Sequence, residues 1–127
     1  MYKRLIIVVV LLIFCIVISI GSFLIIETIS NNIIDDLEMF LIYAEENRKE
    51  PALSAIKNCT QKIEKYEKIY AVFLDHSIFE NLMITIPSIL YLYETNNIDE
   101  ALDKCFESIE ILKIVIHEQK VCLENIF

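Results

Sequence analysis

Residues 5–26 read LIIVVVLLIFCIVISIGSFLII, twenty-two residues without a charge. Ser19, Gly21 and Ser22 are the only polar or small breaks in the run. As a helix rising about 1.5 Å per residue it reaches roughly 33 Å, enough to cross a hydrocarbon core of about 30 Å. The stretch is therefore expected to be a retained transmembrane helix, with the lipid bilayer as its partner through residues 5–26. A secretory signal has a shorter apolar core, about 7–15 residues, ahead of a small-residue cleavage site. Here no alanine precedes Ala44, and Gly21 and Ser22 lie inside the apolar run. A lipoprotein site at Cys15 would need a small residue where Phe14 stands. A pilin-like leader would put the acidic residue before the run, whereas Glu27 follows it.

The flanks set the expected orientation. Lys3 and Arg4 precede the stretch; Glu27, Asp35 and Asp36 follow it, and the next basic residue is Arg48. Positive flanks stay on the cytoplasmic side. This divides the chain into a cytoplasmic N-terminus (1–4), a transmembrane helix (5–26) and an extracytoplasmic helical domain (27–127), and places the protein in the plasma membrane.

Residues 27–127 carry nine basic and nineteen acidic side chains, a net charge of −10. Such a surface disfavours nucleic acid and anionic lipid headgroups, so no nucleic-acid partner is expected. One glycine, two prolines and no tryptophan in 127 residues leave little room for the turns of a sheet protein and favour long helices. Cys59, Cys105 and Cys122 lie beyond the apolar stretch, an odd number without Cys-x-x-Cys or metal-ligand spacing. Two readings stay open for them: small buried hydrophobes on helix faces, or one internal disulfide.

Four apolar stripes at three- and four-residue steps follow. The first, 29–46, runs through Ile33, Leu37, Phe40 and Leu41. It is expected to continue the transmembrane helix through Ser30-Asn31-Asn32, unless those residues form a hinge. The second, 51–74, opens on Pro51, which suits a helix first turn. It is the basic one, with six basic and three acidic residues from Arg48 to Lys68. Asp75-His76-Ser77 breaks the pattern; Asp75 can cap the next helix, and Ser77 with Glu80 has capping-box spacing. The third, 77–94, holds Pro87, so a bend is expected between Met83 and Pro87. Thr95-Asn96-Asn97 is a turn, with Asn97 as N-cap to the fourth stripe, 98–117. The tail, Val121 to Phe127, is apolar and is expected to pack back on the domain. Short connections make successive helices antiparallel neighbours. The expected fold is all-α: a single N-terminal transmembrane helix followed by an antiparallel, up-and-down bundle of about four helices. In that bundle the acidic first and fourth helices would flank the basic second.

The pattern resembles the small bacterial membrane-anchored family catalogued as domain of unknown function 4363. The resemblance rests on Lys3-Arg4 before the apolar helix, Phe73-Leu74-Asp75-His76, Asn97-Ile98-Asp99-Glu100-Ala101-Leu102 and the closing Leu123-Glu124-Asn125-Ile126-Phe127. Together these cover essentially the whole chain. The Asp-His step and the Asn-Ile-Phe ending are the most specific. The family carries a tryptophan upstream of the Asp-His step; here Tyr66 or Tyr70 stands in its place. The resemblance implies genes for a small multi-pass membrane protein nearby, hence a membrane-protein partner, and it implies no activity.

The residues themselves point to no chemistry. His76 and His117 are the only histidines, and no phosphate loop, nucleophile elbow or His-Glu-x-x-His motif accompanies them. No catalytic, cofactor-binding or metal-ligating residue is assigned, and no enzyme is expected. Two functions are expected from this reading: an extracytoplasmic interaction or scaffolding module, as an accessory subunit of an integral membrane protein, or a ligand-sensing bundle acting through a partner. A polar pocket inside the bundle would favour sensing, and a solid core with exposed apolar side chains would favour interaction.

Overall fold

The computed structural model describes residues 1–126, with side chains through Asn125. Among the described residues there are five helices and no strand: α1 (Tyr2–Glu45), α2 (Lys49–Lys65), α3 (Glu67–Phe73), α4 (His76–Glu94) and α5 (Ile98–Ile126).

α1 is one helix of 44 residues, about 66 Å long at 1.5 Å per residue. It passes through Ser30-Asn31-Asn32 without interruption, so those residues form no hinge. Its N-terminal part is exposed all round, while Ile26, Ile33, Leu37 and Phe40 are fully buried. The helix ends at Glu45, and Asn47 beyond it adopts φ 59°. There the Asn47 N–H donates to Ala44 O (3.2 Å) and the Arg48 N–H to Tyr43 O (2.9 Å). That pair of bonds is a Schellman motif, which satisfies the last carbonyls of the helix. The end of α4 repeats it: Asn96 has φ 62°, its N–H donates to Tyr93 O (3.3 Å), and the Asn97 N–H donates to Leu92 O (2.8 Å). Asparagine fills the left-handed position in both turns.

The second stripe is two helices rather than one. Tyr66, at φ −96° and ψ 9°, separates α2 from α3. The bonds from Tyr66 N–H to Lys62 O and from Tyr70 N–H to Tyr66 O, both 3.0 Å, carry the helical direction across the step. α4 is unbroken through Pro87. α5 continues to Ile126 without loosening at His117–Lys120, so the tail is the helix's own last turns and not a separate segment turning back, with Leu123 half-buried. Phe127 lies outside the described residues.

α1 packs on α2 and α5, and α4 packs on the same two helices. The basic α2 therefore lies between α1 and α4, and the acidic α5 is not its neighbour, contrary to the charge-based expectation. Residue pairings give the directions. Ser30 meets Tyr70 and Asp36 meets Lys62, so α2 and α3 descend as α1 ascends. Leu37 meets Cys105 while Gln119 reaches back to Phe73, so α5 also runs against α1. Phe40 meets Tyr93 edge to face, with ring centroids 5.2 Å apart. One cluster of aliphatic side chains with Phe40, Tyr70 and Tyr93 fills the space between the helices.

Candidate functional site

Asp75 and His76 lie at a helix start, as the broken periodicity predicts. Asp75 occupies the N-cap of α4 at φ −56°, ψ 138°, but its carboxylate makes no bond to a helix N–H. It accepts instead from the Ser77 hydroxyl at 3.4 Å. The capping box does not form, because Ser77 is already inside the helix and Glu80 is engaged elsewhere: its Oε1 lies 2.9 Å from His76 Nε2. Both of those side chains are exposed. Among the described residues, no three His, Cys, Asp or Glu side chains converge as metal ligands. This corner offers neither enclosure nor a convergent set of groups.

Most buried polar side chains find a partner. Ser30 and Tyr70 share a 2.8 Å hydrogen bond in which either hydroxyl can donate. Tyr70 is thus the tyrosine held in the core upstream of Asp75-His76, while Tyr66 is only half-buried. Burial pushes the Tyr70 hydroxyl up to about 12, against a smaller opposing effect of the Ser30 bond. Lys62 Nζ sits 2.9 Å from Asp36 Oδ2. That oxygen is otherwise buried without a partner, and the ammonium approaches it off the hydrogen-bond direction. Cys59 and Cys105 are fully buried thiols, and all four cysteines are free. The Cys105 thiol donates to Leu37 O at 3.4 Å. Burial pushes Cys105 up to about 12. Cys59 is pushed up further, by burial first and then by the nearby Asp36 carboxylate. These thiols are structural, since reactivity needs the thiolate.

The surface grooves are open. One, of about 490 Å³, runs along α2 past Glu50, Ser54, Lys57 and Gln61. A second of similar size is apolar and lies where α1 enters the packed region, lined by Leu24, Ile25, Thr28, Ile29, Tyr66 and Ile69. Apolar side chains also stand clear of the core higher up. On α4, Ile84 and Tyr91, two turns apart on one face, are 72% and 67% exposed, with Pro87 between them. On α5, Phe106 and Ile114 are half exposed. Sequence periodicity did not single out Ile84, Phe106 or Ile114, because each falls between the stripes that mark the buried faces; the aromatic pair after Pro87 reads as core, and of the two only Tyr93 is buried.

Neither curated proteins nor solved structures yield a match to this chain. The sequence profile described as Domain of unknown function (DUF4363) matches residues 20–126. It begins near the point where α1 acquires its first well-buried residues and spans all the packed helices. On that match, the chain belongs to the DUF4363 family.

Proposed function

We propose that the protein is a single-pass membrane protein whose helices form an up-and-down antiparallel bundle outside the cytoplasm. The bundle serves as an interaction module for an integral membrane protein. The apolar part of α1 supports the anchor: it is long and uncharged, and it is exposed on every side from Leu5 to Cys15. Its two serines satisfy themselves, Ser19 Oγ donating to Cys15 O (2.9 Å) and Ser22 Oγ to Ile18 O (2.8 Å), which suits an apolar medium. Lys3 and Arg4 favour an N-terminus inside. The antiparallel reading draws on the directions of the residue pairings and on the short turns at Asn47 and Asn96.

The observation that carries the interaction reading is the stripe on α4 in which exposed Ile84 and Tyr91 flank half-buried Pro87. It stands over a packed core, and large apolar side chains exposed together on one face mark contact sites. Ligand sensing would call for an enclosed polar pocket, and the grooves here are open. A photoreactive side chain at Tyr91 is expected to give one discrete adduct with a membrane protein, lost when Ile84→Glu is added. If the Tyr91 probe captures nothing beyond what a probe at Lys57 captures, the stripe is not an interface.

A further inference from the structure

Leu37 and Cys105 are in contact across the antiparallel pair α1 and α5. Leu123 lies eighteen residues beyond Cys105, and Ser19 lies eighteen before Leu37. The last two turns of α5 therefore run beside the second half of the apolar stretch. The burial pattern agrees: Ile16, Ser19, Phe23 and Ile26 recur at helical steps on one side of α1 and are half-buried or buried, as are Gln119 and Leu123 on α5. Independently, Gln119 Nε2 donates to Phe73 O at 3.4 Å, which brings the end of α3 to the same height.

This register leaves only Leu5–Cys15 free of other helices, about 16 Å of helix, roughly half of a hydrocarbon core of about 30 Å. If residues 5–26 cross a bilayer, the span must include the part of α1 that α5 and α3 flank. What stands at that level is amphipathic. Val72 is 75% exposed, and Phe73 and Val121 are each 38% exposed. The apolar groove between Leu24 and Ile69 opens beside them. Glu118, Lys120 and Glu124 alternate with Val121 and Leu123 on α5, a mixture suited to headgroup depth, where long charged side chains reach water while apolar ones face lipid.

We infer that the base of the helical region, Tyr66–Leu74 with Val121–Leu123, is seated in the outer-leaflet interface of the bilayer. It forms an apolar half-collar along one side of the upper half of the span. The inference rests on the membrane reading proposed above and adds a second lipid contact to it. The collar explains how a stretch with so little free length crosses a full bilayer: α1 meets lipid on every side below, while above it α5 and α3 cover one side and leave Leu24 and Ile25, 52% and 47% exposed, to lipid.

The chain has no tryptophan, so single introduced indoles report depth cleanly. Full-length F14W, F73W, V121W and Y91W variants are reconstituted in phosphatidylcholine vesicles with lipids brominated either near the headgroup or deep in the chain. F14W is expected to be quenched by the deep bromines. F73W and V121W are expected to emit at shorter wavelength than Y91W and to be quenched by the shallow bromines, with Y91W unquenched. Quenching of F14W while F73W and V121W match Y91W would overturn the collar and leave the anchor standing, the bilayer then thinning around a short span. An unquenched F14W would overturn the anchor and the collar with it. Quenching of Y91W to the same extent would also overturn the collar, because the whole helical region would then lie on the membrane.

Discussion

Asn47 and Asn96 hold φ of 59° and 62°, in a region that costs an ordinary L-residue roughly 1–2 kcal/mol. Asparagine tolerates it, and glycine does so without a Cβ penalty. Asn96→Ala is expected to lower unfolding stability by about 1 kcal/mol, and Asn96→Gly to keep it or raise it slightly. Urea unfolding in detergent followed by circular dichroism measures both; equal losses for alanine and glycine would deny that φ is the cause. The buried thiols make a second residue-scale prediction. Cys105 ionises at 9.0 when unperturbed and near 12 in the fold, and Tyr70 moves from 10.0 to about 12. Below pH 9 these groups are neutral in both states, and their contribution to stability is fully present. As the pH rises from about 9 towards 12, the unfolded chain releases protons that the folded chain keeps, so stability falls. The urea midpoint should therefore decline between about pH 9 and about pH 11, and the decline should shrink in Cys59→Ala/Cys105→Ala. An unchanged slope in that double variant would assign the effect elsewhere.

Between elements, the pair Asp36–Lys62 ties α1 to α2 where the carboxylate is mostly buried. Removing the ammonium leaves Asp36 Oδ2 without compensation, and such losses cost about 1–3 kcal/mol. Lys62→Ala is thus expected to destabilise by about 1–2 kcal/mol, while Asp36→Asn/Lys62→Ala should cost less than Lys62→Ala alone. A double variant as damaging as the sum of the singles would mean that the two side chains act independently. The same contact shows why charge was a partial guide to packing. The basic α2 does pair with the acidic α1, through the single Asp36–Lys62 contact, but α5 settles against α1 and α4, where its apolar stripe from Ala101 to Val115 finds the shared core. Burial of apolar surface outweighs surface charge pairs worth about 0–1 kcal/mol each. Pro87 makes the complementary case: it removes one backbone donor, yet α4 stays helical because Leu82, Ile86, Ile89 and Tyr93 are held in the core on either side.

For the whole molecule, the boundary at residue 26 has a measurable consequence. Ile26 is fully buried and Phe23 half-buried, so residues inside the apolar stretch belong to the packed region. A fragment beginning at Gly21 is expected to exceed one beginning at Thr28 in stability by about 2–3 kcal/mol, the contribution of one buried aliphatic side chain and part of an aromatic one. Matching stabilities would show that residues 21–27 add nothing to the core. By itself the sequence determined the all-helical class, the long uncharged stretch, the break between the stripes at 47–50, the turn at Thr95–Asn97, the helix start at Asp75–His76 and most of the faces that would be buried. These follow from local rules: backbone sterics at turns and the 3.6-residue period of apolar side chains. Only the tertiary structure decided that Ile26 meets protein, that α5 lies between α1 and α4, that it continues past Lys120 beside the apolar stretch, and that Cys59 and Cys105 sit free in the core. The physical reason is that an isoleucine gains about as much leaving water for lipid as for a protein interior. Periodicity marks a face that must leave water, and which surface receives it depends on residues far away along the chain.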